Sequence, residues 1–233
     1  MKFQYASSLF LELRSAYPFH RIISPGRAPI LCLIGDIGSP YSKITRRFLE
    51  WCVTEWDHVL WIPGYKELIH PNIPVSEATK QMDLLATHIP RVQVLNNRAW
   101  KLAPMSPYLF LGSPLLSFPR LVTDTVQHTI VDKNASWLDS HISEAKDLEE
   151  KVIALTYSPP IKECISGVDI ERTTSIKYYS IPRLIRSPVI AWIVGDMHEC
   201  IQYISPLNKV PILSNSWKGF GATDYNPCKV LLA

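Results

Sequence analysis

Residues 30–64 open with Ile30-Leu31-Cys32-Leu33-Ile34-Gly35-Asp36-Ile37-Gly38, continue through Ile44, Phe48, Cys52 and Trp56 at intervals of four, and close with Val59-Leu60-Trp61-Ile62-Pro63-Gly64. An aliphatic run that breaks at Gly-Asp is the pattern of a strand buried on both faces and ended by a tight loop. Apolar residues four apart lie on one face of a helix, and Ser42 is placed to cap its first turn. Strand, helix and strand in succession predict an α/β fold. The same reading places further strands at 3–6, 92–95, 152–156, 189–194, 211–214 and 229–232. Two more helices are expected, one over 76–88 with Ala78, Met82 and Leu85 inward, the other over 134–148 with Leu138, Ile142 and Ala145 inward. Nineteen prolines against nine glycines predict stiff connections, notably at 104–119, 158–160 and 181–188. No repeat or linker divides the chain, so a single domain over 1–233 is expected.

The composition limits the classes of function. With 233 residues, 47% of them apolar and 19% charged, the chain can bury a sizeable core, and disorder is excluded. No apolar run approaches the roughly 20 residues that cross a bilayer, so no membrane span is expected. Met1 to Ala6 alternates in polarity like a strand, unlike a secretory leader. Five cysteines (Cys32, Cys52, Cys164, Cys200, Cys228) form an odd set without C-x-x-C spacing. That argues against a disulfide framework or zinc ribbon and for an intracellular, reducing location, cytoplasmic or within an assembly. The charge balance, 24 Lys+Arg to 21 Asp+Glu, is +3 and evenly spread, so a nucleic-acid partner is not indicated.

Strand-end loops are where α/β proteins place reactive groups. Five such loops carry polar chemistry: Ser7-Ser8-Leu9-Phe10-Leu11-Glu12, Gly35-Asp36-Ile37-Gly38, Pro63-Gly64-Tyr65-Lys66-Glu67, Thr156-Tyr157-Ser158-Pro159-Pro160 and Gly195-Asp196-Met197-His198. In this order the chain resembles the calcineurin-like metallophosphoesterase family, whose corresponding loops read Asp-x-His, Gly-Asp, Gly-Asn-His-Glu, a histidine after a strand, and Gly-His-x-His. Val59 to Gly64, Leu109-Phe110-Leu111-Gly112, Trp137-Leu138, Trp192-Ile193-Val194-Gly195 and Asn215 to Gly221 extend the resemblance over nearly the whole chain.

The resemblance implies a four-layer αββα sandwich of mixed sheets, with two metals in a strand-end cleft and a metal-bound hydroxide that attacks a phosphate ester. Carried over by position, the first-loop aspartate and histidine become Ser8 and Phe10, the bridging aspartate is Asp36, and the asparagine ligand becomes Tyr65. The catalytic histidine becomes Lys66, the next histidine becomes Tyr157, and the last pair becomes Asp196 with a retained His198. Of the seven metal-ligand positions, only Asp36 and His198 keep the family residue. Phenyl offers no lone pair, and an ammonium donates protons but accepts none. These positions therefore read as a degenerate metal site with no catalytic residue and no cofactor. The implied protein is a pseudoenzyme retained for binding other proteins, for example within a virion or ribonucleoprotein. Lys66 is expected to replace the missing cations by pairing with Asp36, Asp196 or both.

Two other functions fit the same residues. One is a residual single-metal phosphoesterase on Asp36, Asp196 and His198. The other is a metal-free phosphate- or nucleotide-binding module using Lys66 with Arg46 or Arg47. Plainer readings compete: Asp36 as a turn cap, His198 as a hydrogen-bonded loop residue, and Lys43, Arg46 and Arg47 as a solvated helix face. Trp51, Trp56, Trp61, Trp137 and Trp192 read as core. Trp100 and Trp217, in polar surroundings, are candidate interface anchors. Cys200, near His198, reads as a structural thiol and not a nucleophile.

Overall fold

The structure, a computed structural model, describes residues 1–26, 28–116, 124–165, 180–197, 199–206, 208–217 and 224–233, with the backbone alone for 124–131. Two mixed sheets face each other. The first contains β1 (Lys2–Ala6), β2 (Ile30–Ile34), β3 (His58–Ile62), β4 (Val92–Val94) and β11 (Val230–Leu232), in the order β11-β1-β2-β3-β4. The second contains β5 (Arg98–Trp100), β6 (Tyr108–Ser113), β7 (Lys151–Thr156), β8 (Val189–Val194), β9 (Gln202–Ile204) and β10 (Pro211–Leu213), in the order β5-β6-β7-β8-β10-β9. Neighbours β1 to β4 are parallel and β11 is antiparallel. In the second sheet β6, β7, β8 and β10 are parallel and both edge strands are antiparallel.

The unbroken apolar runs have a direct physical cause. Along β2 and β3, Ile30, Cys32, Ile34, Leu60 and Ile62 face the opposite sheet, where they meet Phe110, Ile153, Leu155 and Ile193. Leu31, Leu33, Val59 and Trp61 face the other way, into a cluster with Ile22 of α1 (Phe19–Ile22), Phe48 and Cys52 of α2 (Lys43–Glu55), and Ala78 and Met82 of α4 (Val75–His88). On the far side, Val152, Ala154, Trp192 and Val194 pack on Leu138, Ile142 and Ala145 of α5 (Asp124–Asp147). Strands covered on both faces cannot alternate in polarity. The layers are thus helix, sheet, sheet and helix, the four-layer αββα sandwich that the resemblance implies. As expected, the Ser42 hydroxyl accepts the backbone N–H of Ile44 at 3.3 Å and caps α2, and all five cysteines are free.

Three differences have physical reasons. The proline-rich stretch 104–119 is not a continuous connection, because β6 lies within it and pairs with β7 over six positions. Three of its prolines (Pro104, Pro107, Pro114) flank the strand, where no ladder N–H is lost, and Pro119 lies outside the described residues. Strands β5 and β9 are polar edge strands of three residues, with too few buried positions for a periodic signal. Helix α5 begins ten residues before the apolar face predicts, through Thr125, Val126, Thr129, Ile130 and Val131. These are β-branched residue types of low helix propensity, so the sequence signal for a helix is weak there.

Candidate functional site

The parallel strands of both sheets end on one edge, and their loops meet there. Left-handed backbone at non-glycine residues marks this edge: Ser8 (φ 55°), Phe10 (φ 46°), Asp36 (φ 54°) and Asp196 (φ 44°). Such conformations are costly for L-residues and persist only where the surroundings impose them. Here the loops bond to one another, with Ser8 N–H to Gly35 C=O and Phe10 N–H to Asp36 C=O, both at 3.0 Å. The first and second loops are thereby locked together.

Glu67 holds a third loop to this pair. Its carboxyl lies in α3 (Tyr65–Leu68), is fully buried, and accepts four backbone N–H groups. Oε1 takes those of Ile37 (2.7 Å) and Gly38 (3.2 Å), and Oε2 those of Asp36 and Gly64 (both 2.9 Å). Burial and the nearby Asp36 carboxylate push Glu67 up to about 7, while the N–H bonds from Ile37, Gly38 and Gly64 pull it down. Sequence reasoning quoted Glu67 but gave it no role. Its signal was the match to the glutamate that closes the Gly-Asn-His-Glu loop of the resembling family.

At the centre stands Tyr157, at the end of β7 and 4% exposed. Its hydroxyl lies 2.8 Å from Asp36 Oδ2 and 2.9 Å from Asp196 Oδ1. The other Asp36 oxygen, Oδ1, accepts the backbone N–H of Lys66 at 2.8 Å. A phenol has one proton, so the hydroxyl can donate to only one of the two carboxyls at a time. Burial, then the Asp36 charge, pushes Asp196 well above the ordinary carboxylate range, with the Tyr157 hydrogen bond acting in the opposite direction. Burial and both carboxylates likewise keep the Tyr157 phenol protonated.

The loops thus bring together Asp36, Tyr157 and Asp196, with Ser8 alongside through its backbone. The Ser8 hydroxyl is buried and has no hydrogen-bond partner among the described residues. Phe10 is half-buried, with Arg14 6.0 Å from its ring. Tyr65 is exposed. His198 lies outside the described residues. Lys66 overturns one expectation: its side chain is exposed and forms no ion pair among the described residues, so its ammonium does not replace a metal. Only its backbone reaches Asp36, because the first turn of α3 directs that N–H inward.

The other singled-out residues are also placed. Lys43, Arg46 and Arg47 lie on the exposed face of α2, with Arg46 paired to Glu50 at 2.9 Å. Trp100 is in strand β5, half-buried against His58 (5.1 Å) and Phe110 (5.6 Å). Trp217 is partly buried, with the Arg14 guanidinium 4.3 Å above its ring and Tyr225 stacked on it at 5.2 Å. Both rings hold the fold's own elements together. Burial pushes the Cys200 thiol up to about 11, away from nucleophilic reactivity.

The donor set does not fit the two-ion centre that the resemblance implies. Oδ2 of Asp36 and Oδ1 of Asp196 are engaged by a protonated phenol, Oδ1 of Asp36 by an amide, and Phe10 brings no lone pair. Among the described residues, no group of three or more His, Cys, Asp and Glu side chains is placed to hold a metal ion. No helix of the described residues is long and apolar enough to cross a membrane.

No family model matches the chain. The uncharacterized protein L509 of Acanthamoeba polyphaga mimivirus is 22% identical over 245 residues, covering 86% of each chain. Among solved structures, the phosphopantetheinyl hydrolase PptH of Mycobacterium tuberculosis superposes with a TM-score of 0.58 at 13% identity, over 92% of this chain and 88% of that one. TT1561 of Thermus thermophilus gives 0.51 at 12%, over 92% and 88%. GAP50, described as the anchor in the inner membrane complex of Plasmodium, gives 0.52 at 12%, over all of this chain and 77% of that one. At these identities the likeness establishes the fold, which is metallophosphoesterase-like.

Proposed function

We propose that this chain is a pseudoenzyme of the metallophosphoesterase fold, a single domain over residues 1–233 that acts as a structural or protein-interaction component of a larger assembly. The observation that carries this reading is the Tyr157 hydroxyl between Asp36 and Asp196, at 2.8 and 2.9 Å. The chemistry of the fold needs carboxylates that are ionised and open to a cation. Here both carboxyls face a protonated phenol. Ser8, Phe10, Asp36, Tyr65, Lys66, Tyr157, Asp196 and His198 are then the remnants of a metal site, with no catalytic role. Fold and function separate readily in this way. A protein of the same fold, GAP50, is described as an anchor, which supports an assembly role for the architecture. Other proteins are the proposed partners, and the protein is proposed to work inside the cell.

The test is the amount of manganese and zinc bound by the purified, unchelated protein after dialysis against each ion, together with hydrolysis of an activated phosphodiester. The expected result is less than about 0.1 ion per chain and no turnover above that of an Asp36→Asn variant. One ion per chain with Asp36-dependent turnover would overturn the reading in favour of a single-metal phosphoesterase.

A further inference from the structure

We propose that Tyr157 is an internal plug: its ring fills the space between three strand-end loops, and its hydroxyl cross-links the carboxylates there, so the edge holds together without metal. The inference rests on the functional reading above and extends it by naming a side chain that closes the site.

The geometry of the slot supports this. Gly35, Gly64 and Gly195 belong to three different loops, and each lies against the Tyr157 ring. A Cβ on Gly35 would stand 2.3 Å from Cδ2 of the ring, one on Gly64 2.8 Å from Cε2, and one on Gly195 3.1 Å from Cδ2. The ring therefore occupies the volume that three absent side chains leave. It comes from the second sheet, while Gly35 and Gly64 end strands of the first, so the plug also bridges the two halves of the sandwich. Asp36 and Asp196 lie at its tip, and the orphaned Ser8 hydroxyl lies in the loop bonded to Gly35 and Asp36. Removing the phenol would leave a cavity bounded by hard oxygen donors and roomy enough for water or a cation.

The plug has two separable parts. Tyr157→Phe keeps the ring and removes the cross-link, whereas Tyr157→Ala removes both. Binding of Mn2+ would be followed by electron paramagnetic resonance of the free ion, and the melting temperature read with Mn2+ or with chelator. Wild type and Tyr157→Phe should show no saturable binding up to about 1 mM Mn2+, and their melting temperatures should not respond to it. Tyr157→Ala should bind about one Mn2+ per chain and melt several degrees higher with the ion present, and Asp36→Asn in that background should abolish both effects.

A folded Tyr157→Ala that neither binds Mn2+ nor gains in melting temperature overturns the plug, even with the wild type metal-free. Saturable binding by the wild type overturns the functional reading itself, so the two failures are distinguishable. Should Tyr157→Ala be unfolded in chelator, recovery of the native circular dichroism spectrum on adding Mn2+ supports the plug, and failure to recover overturns it.

Discussion

Glu67→Gln tests the frame on which the site is built. The glutamate side chain is fully buried and its two oxygens accept four backbone N–H groups, from Asp36, Ile37, Gly38 and Gly64. Glutamine has nearly the same shape but one acceptor oxygen, so two of those N–H groups would face an NH2 group and lose their partner. A buried donor left unpaired costs about 1–3 kcal/mol, which sets the gross loss at about 2–6 kcal/mol. Relief of the buried charge offsets part of this, and we expect a net loss of about 3 kcal/mol at pH 8, above the value of about 7 to which burial pushes Glu67. For a protein of this size that lowers the melting temperature by about 6–12 °C. Urea unfolding followed by circular dichroism would read the difference, with Glu67→Ala expected to lose more because all four N–H groups are then unpaired. A Glu67→Gln variant within about 0.5 kcal/mol of wild type, or more stable than it, would refute the reasoning, since charge burial would then equal or outweigh the hydrogen bonds.

Three further predictions concern the same edge. Because the folded state holds the Asp196 proton more tightly than the unfolded chain does, Asp196 contributes stability at low pH that is lost as pH rises above the ordinary carboxylate range; Asp196→Asn should flatten this slope in unfolding measured from pH 4 to 8, and an unchanged slope would count against the shared-proton arrangement. Gly195→Ala would place a Cβ 2.2 Å from the Ile34 carbonyl oxygen, a backbone atom that cannot swing away, and should cost about 2 kcal/mol or more by thermal unfolding. Lys66→Ala, by contrast, removes an exposed side chain without an ion pair among the described residues, so its unfolding free energy should stay within about 0.5 kcal/mol of wild type. A loss of several kcal/mol would restore the buried ion pair that the sequence suggests.

Much of the fold was legible because hydrophobic periodicity is a local signal. Ile30–Ile34 and Val189–Val194 coincide with β2 and β8, and Ala78, Met82 and Leu85 form the buried face of α4. Where the signal was short or polar, as in β5 and β9, it failed. The site was legible in part: the five loops were named, and three of their residues meet at hydrogen-bonding distance. What was misread is the partner of the carboxylates. A lysine beside an acidic loop suggests a salt bridge, yet helix α3 turns the Lys66 side chain outward and presents its amide instead.

The amino-acid sequence by itself determined most of the strands and helices of this protein and its α/β class, because burial on one face or two is written into the period of apolar residues along each segment. It also determined which residue types stand in the strand-end loops: a serine, a phenylalanine, two tyrosines and a lysine at positions where the resembling family carries metal ligands or its catalytic histidine. Only the tertiary structure decided how those residues pair. Asp36 and Tyr157 lie 121 positions apart on different sheets, and their contact depends on the crossing of two loops and the direction of two side chains. Glu67 became a fourfold acceptor for a similar reason, since its partners on two loops converge only when β2 and β3 pair within the first sheet. Periodicity is a property of one segment, whereas a buried hydrogen bond between loops is a property of the folded whole.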